Sequence, residues 1–400
     1  MIPAKFSSRA RALAALAAAA LLLWGCATPQ RPRVACVPDK TATPAVRYDP
    51  VGWSDVEGWS ADRTDEAWGA FVSSCGPLAK RADWSAVCAS AKAQSAPSAS
   101  VVRSFFEQKL IAYQIVQVNS CGARDASGLV TGYYEPVLRG SRTPTPIFRI
   151  PLYAAPDDLL TIDLGDLYAD LKGRRLRGRL QGKKVVPYYS RADLEKNGAL
   201  SGKEIVWVDN AIDAFFLQIQ GSGRVTLPTG ETIRVGYSDQ NGYPYRSIGK
   251  YLVDQGLLTI DQATTQGLRQ WLLTNPDRMQ QVLNANPSFV FFREDKILDA
   301  AQGPKGALGV PLTPGRSVAV DARYVPLGAP IFLATSYPAS DAPLRRLVMA
   351  QDTGGAINGA VRADFFWGMG NEAGESAGKM RQQGRVWLLW PKGSIPIKPQ

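Results

Sequence analysis

The sequence predicts an α+β protein that is mainly β and is built around a barrel of mixed strand topology. After Gly122, short runs of β-branched and aromatic residues alternate with Gly, Pro and Asp, which is typical of strands joined by turns. The chain contains 37 glycines and 28 prolines among its 400 residues, which also favours many turns. With 45% hydrophobic residues it can form a packed core, as one large domain or as two to three smaller ones.

Local patterns then predict the individual elements. Residues 64–118 have helical periodicity, and their longest apolar stretch covers 102–116. Asn275 followed by Pro276 is typical of a helix cap and a first helical residue. Further helices are predicted at 245–254 and 261–273, and strands at 129–140, 183–191, 203–210, 214–227, 231–237, 287–294, 316–334, 345–357 and 384–392.

The N-terminus is typical of a targeting segment. Three basic residues precede an apolar run at 12–23, which is too short for an ordinary transmembrane helix. The run ends in Leu-Trp-Gly-Cys, which resembles a bacterial lipobox, so residues 1–25 are predicted to be a signal peptide and Cys26 to carry a lipid. The alternative is an ordinary signal peptide followed by an incidental cysteine.

The residues after Cys26 predict where the anchored protein would lie. Ala27 resembles the second residue of outer-membrane lipoproteins, which lack a retention aspartate there, so we expect the periplasmic face of the outer membrane. Residues 26–45 are then a lipid-anchored tether, rich in Pro and Thr.

The remaining four cysteines are compatible with an oxidising periplasm. Cys75 and Cys88 lie on the apolar faces of two predicted short helices, where either a disulfide or two buried thiols would fit. The partners of Cys36 and Cys121 are left open. The cysteine spacings match no zinc pattern, and neither a metal nor an organic cofactor is expected.

The net charge and the histidine content limit the binding partners and the catalytic groups that this protein can have. The net charge of +11 would suit nucleic acid, an anionic membrane or an acidic polymer, although a solvated surface without a partner is the alternative. A periplasmic location argues against nucleic acid and favours peptidoglycan, whose stem peptides carry carboxylates. Because the chain contains no histidine, Ser-His and Cys-His nucleophile pairs are excluded. Carboxylates, Lys, Tyr and Cys remain as candidate catalysts.

Three aspartates in the C-terminal part are candidate catalytic residues. Asp321 and Asp352 each end a predicted strand, and Asp364 follows a glycine-rich turn and precedes aromatic residues, of which Phe366 is predicted to contact substrate by stacking on a sugar face. Strand ends in a barrel meet at one rim, and a carboxyl group that is clustered and poorly solvated acquires a raised pKa, as a general acid requires. The alternatives are turn-capping aspartates and a buried aromatic strand.

Candidate binding residues lie in two further segments. A predicted strand presents Gln220 before a Gly-Ser-Gly turn that contains Ser222, and these groups suit the amides and hydroxyls of a sugar. Arg224 suits a carboxylate, although a β-hairpin with surface amides is the alternative. A second set comprises the stacking candidates Tyr133 and Tyr134, the acid Glu135, and Arg246, which could serve substrate or structure.

Taken together, these motifs resemble the membrane-bound lytic murein transglycosylase A family. The likeness covers residues 125–392, and 316–392 resemble the "3D" domain, a double-psi β-barrel. The motifs that carry it are "GYYEP", "FFLQIQGSG", "YRSIGK", "NPSFVFF", "GVPLTPGRSVAVD" and "DTGGAINGAVRADFFWGMGNEAG". An Asp-Thr-Gly triplet also resembles aspartic proteases, but those enzymes need two such loops and one is present here.

The resemblance implies a fold and a reaction. It implies a barrel domain from 46–137 and 294–395, a second β domain inserted at 138–293, and a groove between them. Such enzymes cleave the bond between N-acetylmuramic acid and N-acetylglucosamine without water, leaving a 1,6-anhydro end. By motif alignment, Asp364 is the acid and base, Asp352 and Asp321 support it, and Gln220, Tyr133 and Tyr134 line the groove.

Two other functions compete with this expectation. An inverting glycoside hydrolase would need a second carboxylate to activate water, for which Asp352, Asp321 and Glu135 are candidates. A non-catalytic wall-binding lipoprotein would use the same groove and would tolerate a change at Asp364. The expected partners are peptidoglycan strands, the membrane and proteins of wall synthesis or division, and we expect a monomer.

Overall fold

The computed structural model describes residues 36, 39, 42–171, 174, 176–297 and 299–396. The predicted signal peptide and Cys26 lie outside the described residues, and the predicted tether is described only at residues 36, 39 and 42–45. Within the described part, none of the helices combines the length and the apolarity that crossing a membrane requires.

Helices and strands alternate along the described chain. The α-helices are α1 (Trp68–Leu78), α2 (Ala82–Lys92), α3 (Ala99–Lys109), α4 (Arg191–Asn197), α5 (Ala211–Gln220), α6 (Ile248–Asp254), α7 (Thr265–Thr274), α8 (Pro276–Asn284) and α9 (Gly370–Lys379). The strands are β1 (Ala45–Val51), β2 (Leu110–Val118), β3 (Arg124–Asp125), β4 (Ser127–Glu135), β5 (Val137–Ser141), β6 (Ile150–Tyr153), β7 (Leu160–Ile162), β8 (Leu176–Gln181), β9 (Lys184–Pro187), β10 (Glu204–Val208), β11 (Ser222–Thr226), β12 (Thr232–Gln240), β13 (Val290–Asp295), β14 (Ser317–Val320), β15 (Pro330–Ser336), β16 (Pro343–Asp352), β17 (Ala363–Met369) and β18 (Arg381–Pro391).

The central sheet closes into a barrel. Its strands pair in the order β18, β15, β16, β14, β17 and β4, and β4 pairs again with β18. The pairs β14–β16 and β17–β4 are parallel, whereas β15–β16 and β15–β18 are antiparallel. Strand β4 comes from the first part of the chain and the other five strands from the last. Because parallel and antiparallel pairs both occur, the predicted α+β fold with a barrel of mixed topology is confirmed.

A second β region lies between the two parts of the barrel in sequence. It contains a six-stranded sheet in the order β13-β12-β11-β5-β10-β6 and a three-stranded sheet in the order β7-β8-β9. Helices α4 to α8 accompany these sheets, and three buried clusters form their cores. We refer to this region as the insert.

The helices before the barrel pack on its outer surface. The aromatic rings of Phe71, Phe106 and Trp84 are fully buried in one core with the barrel, where Trp84 meets Trp390 edge to face at 5.6 Å. Burial of such large rings contributes on the order of 2–3 kcal/mol each. Of the two arrangements open for Cys75 and Cys88, the structure has the disulfide, and a second one joins Cys36 to Cys121.

Two predicted elements were assigned to the wrong class of secondary structure. The predicted helix at 102–116 ends at Lys109, because the residues that follow pair with β1 and β18 as strand β2. The predicted strand at 214–227 begins with a helix instead. Asn210 caps that helix by accepting from the backbone of Ile212 and Asp213, and Gly221 ends it with φ +81°.

Candidate active site

The pairing of the barrel strands brings two of the three candidate aspartates into one row. Ala319 on β14 pairs with Asp352 on one side and with Asp364 on the other. Thr131 on β4 pairs with Asp364 and extends the row. Because paired residues project from the same face of a sheet, the two carboxyl groups flank a methyl group. Two strand spacings separate their Cα atoms by about 10 Å.

The carboxyl group of Asp364 is partly buried, and a hydroxyl group donates a hydrogen bond to it. Thr131 donates a hydrogen bond of 2.5 Å to its Oδ1, and Arg362 in turn donates one of 2.8 Å to the Thr131 oxygen. Burial raises the pKa of Asp364, and the Thr131 hydrogen bond and the nearby Arg362 charge only partly oppose this. A raised pKa favours the protonated form that a general acid needs.

Asp352 is held by three donors. The backbone N–H groups of Ala307 and Thr353 donate to Oδ1, each at 2.9 Å, and the Tyr133 hydroxyl donates to Oδ2 at 3.1 Å. Burial nevertheless raises the pKa of Asp352 to about 6, and the charge of Asp364 adds to that rise. Since both oxygens accept hydrogen bonds, this carboxyl group is well placed to fix the loop and the tyrosine around it.

Tyr133 and Phe366 form the floor beneath the two carboxyl groups. Their rings lie 5.2 Å apart in a small buried cluster that also contains Ala319. Phe366 is fully buried, so its ring supports the site from below and does not offer a stacking surface to a ligand. The prediction that Phe366 contacts substrate is therefore replaced by a packing role, because its ring is fully buried against Tyr133 and Ala319.

Asp321 lies outside the pair. Its carboxylate binds the Arg323 guanidinium at 2.6 Å and accepts from the Gly359 backbone at 2.8 Å. Although burial opposes ionisation, these hydrogen bonds hold the pKa of Asp321 below its usual value. The group therefore stays ionised and ties the end of β14 to the turn that precedes Asp364.

Arg224 and Glu135 occupy a buried ion-pair network, not an open binding surface. Glu135 is fully buried and accepts from Arg224 Nε at 3.0 Å and from Arg234 Nε at 2.6 Å. Arg224 and Arg234 also donate to the backbone carbonyl of Gln302. The predicted contact between Arg224 and a ligand carboxylate is thus corrected, because internal acceptors satisfy this guanidinium. Glu135 is equally unsuited to activating water.

The other predicted binding residues lie in the insert and at its contact with the barrel. Gln220, the last residue of α5, accepts at 3.1 Å from the backbone of Tyr134, so the insert contacts β4 close to the site. Tyr134 is partly buried, and burial raises the pKa of its hydroxyl. Ser222 begins β11 and is partly buried, and Arg246 is exposed just before α6.

Comparison with known proteins identifies the family. Residues 129–293 match the model of the MltA specific insert domain, and residues 316–390 match the model of the 3D domain. Membrane-bound lytic murein transglycosylase A of Vibrio cholerae is 32% identical over 295 residues, which cover 71% of this chain and 72% of that protein. The chain belongs to the membrane-bound lytic murein transglycosylase A family.

Solved structures of this family have the same fold. MltA from Neisseria gonorrhoeae superposes with a TM-score of 0.76 at 38% identity, covering 93% of this chain and 100% of that one. Lytic transglycosylase LtgG of Burkholderia pseudomallei is 46% identical, with a TM-score of 0.57 and coverage of 90% and 99%. Escherichia coli MltA with bound chitohexaose gives a TM-score of 0.64 at 27% identity, covering 88% and 96%.

Three residues of the site, Thr131, Arg362 and Ala319, were not predicted from the sequence. Thr131 and Arg362 adjust the ionisation of Asp364, and Ala319 lies between Asp352 and Asp364 in the strand pairing. A signal was present for Thr131, which lies two residues before Tyr133 on β4, so alternation places both on the same strand face. Arg362 precedes β17 and had no such signal. Among the described residues, no three Cys, Asp or Glu side chains are grouped to hold a metal ion.

Proposed function

We propose that this chain is a peptidoglycan lytic transglycosylase that cleaves the β-1,4 bond between N-acetylmuramic acid and N-acetylglucosamine. Its relatives are named lytic murein transglycosylases, and one of them has been solved with bound chitohexaose. The observation that carries the proposal is Asp364, a partly buried carboxyl group of raised pKa in the same strand-pairing row as Thr131 and Asp352.

Asp364 acts first as an acid and then as a base. The protonated carboxyl group donates its proton to the glycosidic oxygen as the bond from that oxygen to the anomeric carbon of the muramyl residue breaks. The 6-hydroxyl oxygen of the same residue then bonds to the anomeric carbon, and Asp364 accepts the hydroxyl proton. The proton count balances, no water is consumed, and the carboxyl group is restored for the next cycle.

Asp352 and Asp321 have supporting roles. Asp352 holds the Tyr133 hydroxyl and the Ala307 backbone, so it fixes the floor of the site and the loop beside it. Asp321 orients the turn at Gly359, from which the chain runs to Asp364. Each of these contacts limits how far the acid can move, as preorganised catalysis requires.

The glycan strand would lie along the contact between the insert and the barrel. Gln220 and Tyr134 meet there, and we assign them together with Ser222 and Arg246 to the walls of the groove. In this proposal the insert comprises residues 138–293, and the barrel domain comprises 46–137 with 294–395.

The same proposal includes a cellular location. Relatives are named membrane-bound, and the lipobox-like segment before Cys26 supports a lipid anchor in the outer membrane, facing the periplasm. We propose a monomer that acts on peptidoglycan beside wall-synthesis or division proteins.

The test uses the chain from residue 27 onward with purified peptidoglycan and mass spectrometry of the released fragments. Fragments one water lighter than hydrolysis products are expected, and Asp364→Asn should slow their release by about 10²–10⁴-fold. Sedimentation with peptidoglycan should be unchanged in Asp364→Asn, which separates catalysis from binding. Absence of products from both chains, with binding retained, would make the protein a wall-binding lipoprotein.

An inverting hydrolase is the second candidate, because Asp352 lies across the row from Asp364 at a Cα separation of about 10 Å. Inverting enzymes place two carboxyl groups about 6.5–9.5 Å apart with water between them. In that case the fragments would carry the added water, and Asp352→Asn would abolish their release as completely as Asp364→Asn.

A further inference from the structure

The small three-stranded sheet of the insert has one face made entirely of apolar residues and glycine. Leu180 pairs with Val185, Gly178 with Leu160 and Pro187, and Ile162 with Leu176. Paired residues share a face, and residues two apart along a strand share it as well. The face, called the apolar face below, therefore consists of Leu160, Ile162, Leu176, Gly178, Leu180, Val185 and Pro187.

The opposite face of this sheet packs against the rest of the insert. Arg177 on that face donates to Asp239 on β12 at 2.9 Å. The guanidinium of Arg179 lies 4.2 Å from the ring centre of Tyr189. The sheet is thus turned the opposite way from an ordinary half-buried sheet, whose apolar side faces the core.

The apolar face is open to solvent at the end next to the β8–β9 turn, where Leu180, Val185 and Pro187 are exposed, whereas Leu160, Ile162 and Leu176 are half-buried and Gly178 is buried. The side chain of Leu180 is 61% exposed and that of Val185 is 53% exposed. In the part of the chain that the structure describes, none of the seven residues of this face belongs to a buried hydrophobic cluster. Clustered exposed aliphatic side chains of this kind mark a surface that binds a partner.

One edge of the apolar face is cationic. Lys183 and Lys184 are exposed in the turn between β8 and β9, next to Leu180 and Val185 of the apolar face. Two acids approach that edge from the start of β7, where Asp157 binds Lys203 and Asp158 accepts from Tyr188. The exposed acids Asp163, Asp166 and Asp170 lie in the loop after β7, at the far end of the strands.

We propose that the apolar face docks on the surface of an anionic phospholipid bilayer. Leu180 and Val185 enter the zone between head groups and acyl chains, and Lys183 and Lys184 contact lipid phosphates. A bilayer fits better than a protein partner, because the face offers aliphatic side chains and a cationic edge but few polar groups to fix one docking geometry. Docking would orient a membrane-anchored enzyme, and it requires neither Asp364 nor a lipid on Cys26.

The test measures vesicle binding by the unlipidated chain from residue 27 onward, which keeps every described residue. We expect it to sediment with vesicles of phosphatidylglycerol and phosphatidylethanolamine but only weakly with phosphatidylcholine vesicles. The double variants Leu180→Ser/Val185→Ser and Lys183→Glu/Lys184→Glu should each bind the anionic vesicles at least tenfold more weakly. The matched control Ile260→Ser/Leu273→Ser changes two similarly exposed aliphatic residues of the insert and should bind normally.

Other outcomes would overturn the proposal. The proposal is wrong if the parent chain does not bind anionic vesicles or if both double variants bind them as strongly as the control does. A concentration-dependent dimer in analytical ultracentrifugation that Leu180→Ser/Val185→Ser abolishes would instead assign the apolar face to a second copy. Loss of sedimentation with peptidoglycan in the same variant would assign it to the glycan. Because the substituted residues are exposed, all variants should unfold at the parent temperature and retain lytic activity.

Discussion

Strand β4 contributes to two carboxyl sites in opposite circumstances. Near its middle, Thr131 is the hydroxyl donor to Asp364, a carboxyl group held without a direct ion pair among the described contacts. At its end, Glu135 lies fully buried between the guanidinium groups of Arg224 and Arg234. Glu135 is fully buried and Asp364 partly buried, and their different partners decide their different properties.

The comparison teaches how one strand serves both structure and chemistry. Two arginines compensate the charge of Glu135 and join β4 to β11 and β12, so this carboxylate fastens the insert to the barrel. A single hydroxyl compensates Asp364 weakly, and the pKa of that group rises instead. A buried carboxyl group that lacks a cation in contact is the one able to carry a proton.

The largest expected effect is a loss of stability when the ion pairs of Glu135 with Arg224 and Arg234 are broken. Glu135→Gln removes the negative charge and leaves two buried guanidinium groups facing each other. We expect the free energy of unfolding to fall by about 3–5 kcal/mol, measured by denaturant titration. The matched control is Glu57→Gln, because Glu57 also binds two arginines, Arg345 and Arg385, but is partly exposed.

For Glu57→Gln the loss should be about 1 kcal/mol or less, since water screens that pair. Equal losses from both substitutions would show that burial does not distinguish the two glutamates, and the structural role given to Glu135 would then be wrong.

The next effect concerns Asp352. Burial destabilises the ionised form of this carboxyl group, and its pKa is raised as a result. Its folded pKa of about 6 exceeds the ordinary aspartate value of 3.8, so the fold binds this proton more tightly than the unfolded chain does. The free energy of unfolding should therefore fall by up to about 3 kcal/mol as the pH rises from about 4 to 6. Asp352→Asn should flatten this dependence and raise stability at pH 7 while it lowers activity.

Asp321→Asn is the control of opposite sign. Because the pKa of Asp321 is lowered in the fold, its ionised form stabilises the protein above the unfolded pKa, and that gain is lost in acid. Denaturant titrations at several pH values should show a loss of stability at pH 7 for Asp321→Asn. Matching signs for the two aspartates would contradict the environments assigned to them.

The smallest effect sharpens the description of the acid itself. Thr131→Val removes the hydrogen bond that lowers the pKa of Asp364, so the alkaline limb of the pH–rate profile should move to higher pH. The rate at the pH optimum should change by less than about tenfold, because the carboxyl group remains in place. Thr335→Val, which removes a hydroxyl bound to the Gln383 carbonyl away from the site, should leave the profile unmoved.

The sequence predicted the parts of this molecule that local chemistry determines. Period-two runs predicted most of the barrel strands, and the predicted strand end at Asp352 agrees with the end of β16, whereas Asp364, predicted to follow a glycine-rich turn, lies near the start of β17. The sequence did not determine the directions in which the side chains point. Arg224 was expected to face a ligand, yet its partner Glu135 lies 89 positions earlier and no local pattern pairs them.

Tertiary pairing explains the other differences. Residues 110–116 are apolar at helical as well as strand spacing, and only their contacts with β1 and β18 select the strand. Phe366 has the composition of a stacking residue, but the register of β17 turns it into the floor of the site. Such choices depend on residues that are distant in sequence.

The most direct test of the central claim is a carboxyl titration by NMR. The chain from residue 27 onward would be labelled with ¹³C at the aspartate side-chain carboxyl groups, and Asp364→Asn would assign the signal that disappears. We predict that this signal titrates above the ordinary aspartate value of 3.8 and that Thr131→Val moves it higher still. A signal that titrates at or below 3.8 would contradict the assignment of Asp364 as the proton carrier.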